Sequence, residues 1–123
     1  MAFESRQLAM IVGQAAHHLH VVVNHIATAL IDTGGNGRML FSNSALSYVD
    51  GGTLTALARD YVKRSAEQLP CIYTHTVENL GMLLYLLVLD DRHVFAIVGT
   101  NKDEMLIQEF NERLARLLYG AGV

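Results

Sequence analysis

One run of eight residues, Met82-Leu83-Leu84-Tyr85-Leu86-Leu87-Val88-Leu89, contains no charged residue. Strands with one solvated face alternate apolar and polar residues, whereas a strand that is apolar throughout is normally buried on both faces. Burying both faces of a sheet requires helices on its two sides. We therefore expect this strand to be central in a three-layer α/β/α sandwich.

Strand patterns lie on both sides of this stretch. Downstream, the turn Asp90-Asp91-Arg92 leads into a second apolar strand and predicts a hairpin. Upstream, the turn Gly34-Gly35-Asn36-Gly37 supplies the positive φ angles that hairpins need, so the segments before and after it are predicted to pair. The further predicted strands are one within Val21–Asp32 and those at Arg38–Ser42, Cys71–Val77 and His93–Gly99.

Three amphipathic helices are predicted from apolar residues spaced three and four apart. They cover residues 6–20, 54–69 and 102–119. Ser5 is the expected N-cap of the first helix, Asp50 or Thr53 caps the second, and Pro70 ends it. The predicted order is αββαβββα, with five strands in a mostly antiparallel sheet.

The composition is that of a single globular domain over residues 1–123. Hydrophobic residues make up 51% of the chain and charged residues 17%, which suffices for a core and argues against disorder. The formal net charge of -3 argues against binding to nucleic acid or to an anionic membrane surface. The chain has one cysteine, no visible targeting pattern, and a longest apolar run, Leu80–Leu89, about half as long as a membrane-spanning helix. We therefore expect a cytoplasmic protein.

Three local patterns carry a family resemblance when they occur in this order. An apolar strand ends in an acid and glycines before a short second strand, an acid precedes a leucine-rich helix start, and two apolar strands precede an amphipathic helix. The patterns lie at Ile26–Ser42, Asp50–Ala58 and Leu84–Leu118. Together they resemble the roadblock/dynein light-chain family, which includes bacterial gliding-type members that regulate small Ras-like GTPases.

The resemblance implies a non-enzymatic homodimer whose composite surface receives a GTPase or a larger protein assembly. In such a dimer the third strands pair and the second helices pack together. The sequence supports the pairing independently, because Cys71–Val77 lacks the lysine or interior proline that protects an edge strand. The residues that we assign to this interface are Asp60, Tyr61, Lys63 and Arg64 in the second helix and Cys71, Tyr73, Thr74 and His75 in the strand.

Three arginines are candidates for contact with the GTPase, namely Arg38, Arg59 and Arg92. We expect all three to be exposed, and ordinary solubilising charge is the default interpretation for each. A GTPase-activating protein can insert an arginine into the active site of its partner. The resemblance instead implies that this protein acts by positioning the GTPase's own switch residues.

Other chemistry has little support in the sequence. His17 and His20 are one turn apart in a segment that also holds His18 and His25, and together they could bind a transition metal. A solvated helix face is the preferred interpretation. Cys71 and His75 are about 13 Å apart along a strand, too far for a nucleophile and its base. We expect no cofactor, no metal and no catalytic residue.

Two alternatives remain open. The first is a small sensory domain of the PAS, GAF or profilin-like kind that binds a small ligand or a metal through its histidines. The second, a small enzyme that uses Cys71, is the least favoured because the sequence holds no catalytic motif.

Overall fold

A computed structural model describes residues 3–23, 25–42, 51–65, 69–77 and 82–120. Helices and strands follow one another in the predicted order, and a single 3-10 turn, Asn101–Asp103, precedes the last helix. The helices are α1 (Ser5–Val22), α2 (Gly51–Arg64) and α3 (Glu104–Leu118). The strands are β1 (Ala27–Asp32), β2 (Arg38–Ser42), β3 (Cys71–Val77), β4 (Met82–Val88) and β5 (His93–Gly99).

The five strands form one sheet in the order β2-β1-β5-β4-β3, and every neighbouring pair is antiparallel. The predicted pairs β1–β2 and β4–β5 are both present. The central strand is β5 rather than β4, because β1 pairs along β5, from Ala27 opposite Val98 to Asp32 opposite His93. The apolar β4 is nevertheless an interior strand between β5 and β3.

Two hydrophobic clusters cover the two faces of the sheet. On one face α1 and α3 contribute residues such as Leu8, Val12 and Ile107 to the core. On the other face α2 contributes Leu54 and Ala58. The apolar stretch supplies both clusters, with Tyr85, Leu87 and Leu89 facing α1 and α3, and Leu84, Leu86 and Val88 facing α2. The predicted three-layer α/β/α sandwich is therefore confirmed, and its core lies on both sides of β4 and β5.

Several predicted helix ends are wrong. Ser5 is not the cap of α1 but its first residue, because Glu4 accepts the N–H groups of Arg6 (3.1 Å) and Gln7 (2.8 Å). The helix continues through Val22, so β1 begins only at Ala27. Thr53 lies inside α2 and does not cap it, while Asp50 lies outside the described residues.

The predicted end of α2 is also wrong. The helix ends at Arg64, five residues before the predicted end at Leu69. Ser65 follows as a turn, and its N–H donates to the carbonyl of Tyr61 (3.1 Å). None of the described helices is both long enough and apolar enough to cross a membrane.

Candidate interaction surface

The last turns of α2 and the edge strand β3 share a pair of packed tyrosines. Tyr61 of α2 is 7% exposed, and its ring centroid lies 4.6 Å from that of Tyr73 on β3. The Ser65 hydroxyl donates to the Tyr61 carbonyl (2.7 Å) and lies 2.8 Å from the Tyr73 hydroxyl oxygen. These contacts join the end of α2 to β3, and we call the joined area the α2–β3 surface.

Charged side chains of α2 lie beside the tyrosine pair. The guanidinium of Arg64 lies 4.9 Å from the centre of the Tyr61 ring, in a cation–π arrangement, and its Nη2 atom is 2.9 Å from Oδ2 of Asp60. Asp60, Lys63 and Arg64 are exposed, so these three predicted interface residues are accessible to a partner. Tyr61 is buried and supports this surface from beneath.

β3 is an edge strand with an open side. Its pairing with β4 is regular over all seven residues, from Cys71 opposite Val88 to Val77 opposite Met82. Within the described part of the chain, nothing pairs with its other side. The opposite edge, β2, begins with the charged Arg38 and its pairing contains a register shift beside Leu30, two features that discourage strand addition. β3 is therefore the better template for a further strand.

Four strand residues were assigned to the interface, and the side chains of three of them are described at this edge. Cys71 and Tyr73 are half-buried, and Thr74 is exposed. The hydrogen bond with the Cys71 thiol raises the pKa of Tyr73. The backbone of His75 pairs with Leu84, and its side chain lies outside the described residues.

Two of the three candidate arginines are bound within the chain. Arg59 donates to the carbonyls of Gly35 (2.8 Å) and Thr33 (3.3 Å) and so ties α2 to the turn between β1 and β2. Arg92 donates to the Ser5 hydroxyl (2.9 Å). Both side chains are half-buried, contrary to the expectation that they would be exposed, because these partners draw them onto the protein.

The third arginine, Arg38, is exposed as expected. Its Nε atom lies 3.9 Å from Oδ2 of Asp32, and Nη2 of Arg92 lies 3.3 Å from the same oxygen. Asp32 thus holds two of the candidate arginines at the end of β1. Their guanidinium groups are arranged around this intramolecular carboxylate.

A buried polar cluster that the sequence analysis missed lies next to these arginines. Nδ1 of His93 is 2.9 Å from Oδ2 of Asp90, and Nε2 is 2.8 Å from the Ser5 oxygen, the order of groups found in a catalytic triad. The Ser5 hydroxyl is itself buried, donates to Asp32 (3.2 Å) and accepts from Arg92. We therefore assign the cluster a structural role, in which it fixes the start of α1 to the ends of the strands.

Asp90 has an unusual carboxylate within this cluster. Burial would raise the pKa of Asp90, but hydrogen bonds from the His93 side chain and from the N–H groups of Phe3, Arg92 and His93 outweigh burial and hold it below its ordinary value. The N–H of Phe3 donates to Oδ2 at 2.7 Å. No local pattern could reveal this cluster, because Ser5 and His93 are 88 residues apart.

The histidines of the first helix and the following turn have separate environments. His17 and His18 are exposed, with ring centroids 6.2 Å apart. His20 has Nε2 3.0 Å from the Thr28 hydroxyl, and burial together with the nearby His17 lowers its pKa. His25 lies 2.9 Å from Asp103. Over the described ranges, no group of three or more histidine, cysteine or acidic side chains is arranged to hold a metal ion.

Two solved structures share this three-layer sandwich. Myxococcus xanthus MglB superimposes with a TM-score of 0.62 and 16% identity, over 97% of this chain and 94% of that one. The gliding protein MglB from Thermus thermophilus superimposes with a TM-score of 0.57 and 17% identity, over 98% of this chain and 96% of that one. The predicted resemblance is thus confirmed at the level of the fold.

Sequence comparison adds no closer assignment. No protein-family model matches the chain, and no curated protein matches it.

Proposed function

We propose that this chain is a cytosolic, homodimeric interaction module that binds and regulates a small Ras-like GTPase, as an activator of GTP hydrolysis or as a scaffold. The observation that carries the proposal is the edge strand β3, which offers seven residues of regular backbone beside the charged end of α2. The fold shared with two MglB structures over nearly the whole chain supports the same function.

The dimer that we propose forms by antiparallel pairing of β3 with β3 of a second copy. All seven residues find partners when the two-fold axis passes beside the central residue, Thr74. This pairing joins two sheets into one and removes both open edges. Because α2 is fixed to β3 by the tyrosine pair, this pairing brings α2 of the two copies together, with the exposed Asp60, Lys63 and Arg64 in the dimer interface. We propose that the GTPase binds the composite surface that the two copies form.

The arginine contacts favour a positioning mechanism over an inserted arginine. Arg59 and Arg92 already donate to groups of their own chain. Inserting either one into a partner would require breaking these hydrogen bonds, each worth about 1 kcal/mol. We propose that the regulator acts by holding the switch segments of the GTPase.

The register of the dimer can be tested by disulfide cross-linking. In a Cys71→Ser background, Thr74→Cys is expected to form a covalent dimer on mild oxidation, because the two introduced thiols face each other across the axis. The matched variant Ile72→Cys places its thiols about 13 Å apart and is expected not to cross-link. Failure of Thr74→Cys to cross-link would overturn the proposed β3 pairing.

Binding to the GTPase is tested with purified partners. Each small Ras-like GTPase of the source organism, loaded with GDP or with a non-hydrolysable GTP analogue, is passed over the immobilised protein, and GTP hydrolysis is measured in solution. We expect nucleotide-dependent retention of one of them. Thr74→Pro should weaken retention, because it removes the β3 pairing that forms the composite surface. Retention of no GTPase in either nucleotide state would overturn the proposal.

The same assay tests the mechanism. Replacing Arg38, Arg59 or Arg92 by alanine is expected to leave most of any stimulated hydrolysis intact. A loss of about 10³-fold in any of the three variants, the size expected when an inserted arginine is removed, would show that the positioning mechanism is wrong.

A further inference from the structure

The exposed apolar surface of the protein is concentrated on one layer. Of the nine large apolar side chains exposed in the described part of the chain, all but Ile72 lie on α1, on α3 or directly after α3. This layer is on the opposite face of the sheet from α2. Clustered exposed apolar residues mark interaction sites, and this cluster lies away from the α2–β3 surface.

An open groove runs between α1 and α3 within this layer. It has a volume of about 370 Å³. Leu19, Phe110 and Leu114 line it, together with the more exposed Val22 and Leu117. The groove is therefore largely apolar and accessible.

One ridge of α3 beside the groove has a self-complementary pattern. Residues four apart form a ridge along a helix, and here the ridge is Met105, Glu109, Arg113 and Leu117. The two apolar ends are 84% and 64% exposed, and the charged side chains between them are 58% and 71% exposed. Along the ridge the side chains are, in order, apolar, acidic, basic and apolar. The middle of the ridge lies at the same level along the helix axis as the buried Asn111.

We propose that this ridge is a second homotypic contact, in which α3 packs antiparallel against α3 of another copy about a two-fold axis at the level of Asn111. Such an axis places Met105 against Leu117 of the second copy and Glu109 against Arg113 of the second copy. Isologous contacts require a self-complementary patch of this kind.

The charge pattern identifies a second copy as the occupant. The acid and the base of the ridge lie 2.6 Å apart, so the ridge has no net charge to attract an anionic lipid surface. In two copies related by the two-fold axis, Glu109 of each copy lies opposite Arg113 of the other, which gives two attractive contacts. The contact leaves the β3 edge free, so pairing at β3 and packing at α3 can occur in one assembly, a tetramer made of two dimers.

The proposed contact is tested by reversing charges on the ridge and then restoring their complementarity. The measurement is the solution mass from light scattering, over roughly a hundredfold range of protein concentration. At high concentration we expect the wild type to reach four times the chain mass of 13.6 kDa. Glu109→Arg, which places like charges opposite each other, should halve this mass. The double variant Glu109→Arg/Arg113→Glu restores opposite charges across the axis and should restore it.

Two controls separate this contact from the proposed dimer. Glu112→Arg makes the same change of charge on the same helix but off the ridge, and it should leave the mass unchanged. Thr74→Pro removes the β3 pairing and should leave a dimer that Glu109→Arg converts to monomer.

The contact is overturned if Glu109→Arg has the mass of the wild type at every concentration, or if Glu112→Arg lowers the mass equally. If the β3 pairing alone fails, the wild type is a dimer that Glu109→Arg dissociates and Thr74→Pro does not. These two failures are therefore distinguishable.

Discussion

Gly37 and Thr55 approach so closely that no side chain fits between them. A Cβ atom added at Gly37 would lie 2.5 Å from Cγ2 of Thr55, and the φ angle of Gly37 is +78°. The contact packs the turn between β1 and β2 directly against α2. Arg59, one turn further along α2, donates to the carbonyl of Gly35 in the same turn. The helix that carries the proposed interface charges is thus held in place by this turn.

Gly37→Ala is therefore expected to destabilise the protein more than Gly35→Ala. Both positions have positive φ angles, but no atom lies within 4 Å of a Cβ added at Gly35. The conformational cost is about 1 kcal/mol at either position, and the clash adds to it at Gly37. Urea unfolding of the two variants measures the difference. Adding Thr55→Ser, which removes the methyl group, should recover the excess loss in Gly37→Ala, and no recovery would contradict the steric explanation.

Asn111→Leu is expected to raise the free energy of unfolding by about 1 to 2 kcal/mol. Asn111 is fully buried in α3, and neither its Nδ2 nor its Oδ1 atom has a hydrogen-bond partner among the described residues. A buried polar group without a partner costs about 1 to 3 kcal/mol, which an apolar side chain of similar size avoids. Thermal and urea unfolding test the change. A destabilised Asn111→Leu would show that the amide has a partner in solution.

Low pH is expected to lower the free energy of unfolding, because Asp90 becomes protonated. Its folded pKa lies below the ordinary value of 3.8, so its stabilising contribution is complete above about pH 4 and is lost as the pH falls through the folded pKa. Asp90→Asn should be less stable than the wild type near pH 6, and the difference should shrink towards pH 2. Urea unfolding at several pH values measures this, with the exposed Asp91→Asn as control. A difference that does not change with pH would contradict the assignment.

Tyr73→Ala is expected to lower the free energy of unfolding by about 1 kcal/mol or more, because packed aromatic pairs contribute about 0.5 to 1.5 kcal/mol beyond their buried area. Tyr73→Phe keeps the contact with Tyr61 and loses only the contacts of its hydroxyl with Ser65 and Cys71. It should therefore cost less. Chemical unfolding of the two variants gives the comparison, and equal losses would mean that the hydroxyl, and not the ring, joins β3 to α2.

The layers of the fold were predictable from short sequence patterns, because burial on two faces leaves a direct mark on a strand such as Met82–Val88. Turn glycines were equally informative, since Gly35 and Gly37 both have the positive φ angles that the hairpin prediction requires. The position of β5 at the centre was not predictable. It depends on the pairing of β1 with a distant strand, and both β4 and β5 are apolar enough for the central place.

The helix ends and the polar contacts were harder to predict for a related reason. Ser5 has the side chain of a good N-cap, but its hydroxyl is taken by Asp32 and His93 from distant parts of the chain, while Glu4 caps the helix. Tertiary contacts thus override a local preference. The same holds for Arg59 and Arg92, whose charge predicts exposure until the carbonyl and hydroxyl groups around them are known.

The central place of β5 has a consequence for how the chain folds as it is made. Every contact between β1 and β5 joins residues more than sixty positions apart. A growing chain can form the β1–β2 hairpin and the β3–β4 pair, but these remain separate until β5 has left the ribosome and been inserted between them. Each half has an apolar edge in the interval, so the nascent protein is most exposed to aggregation in the period before β5 emerges.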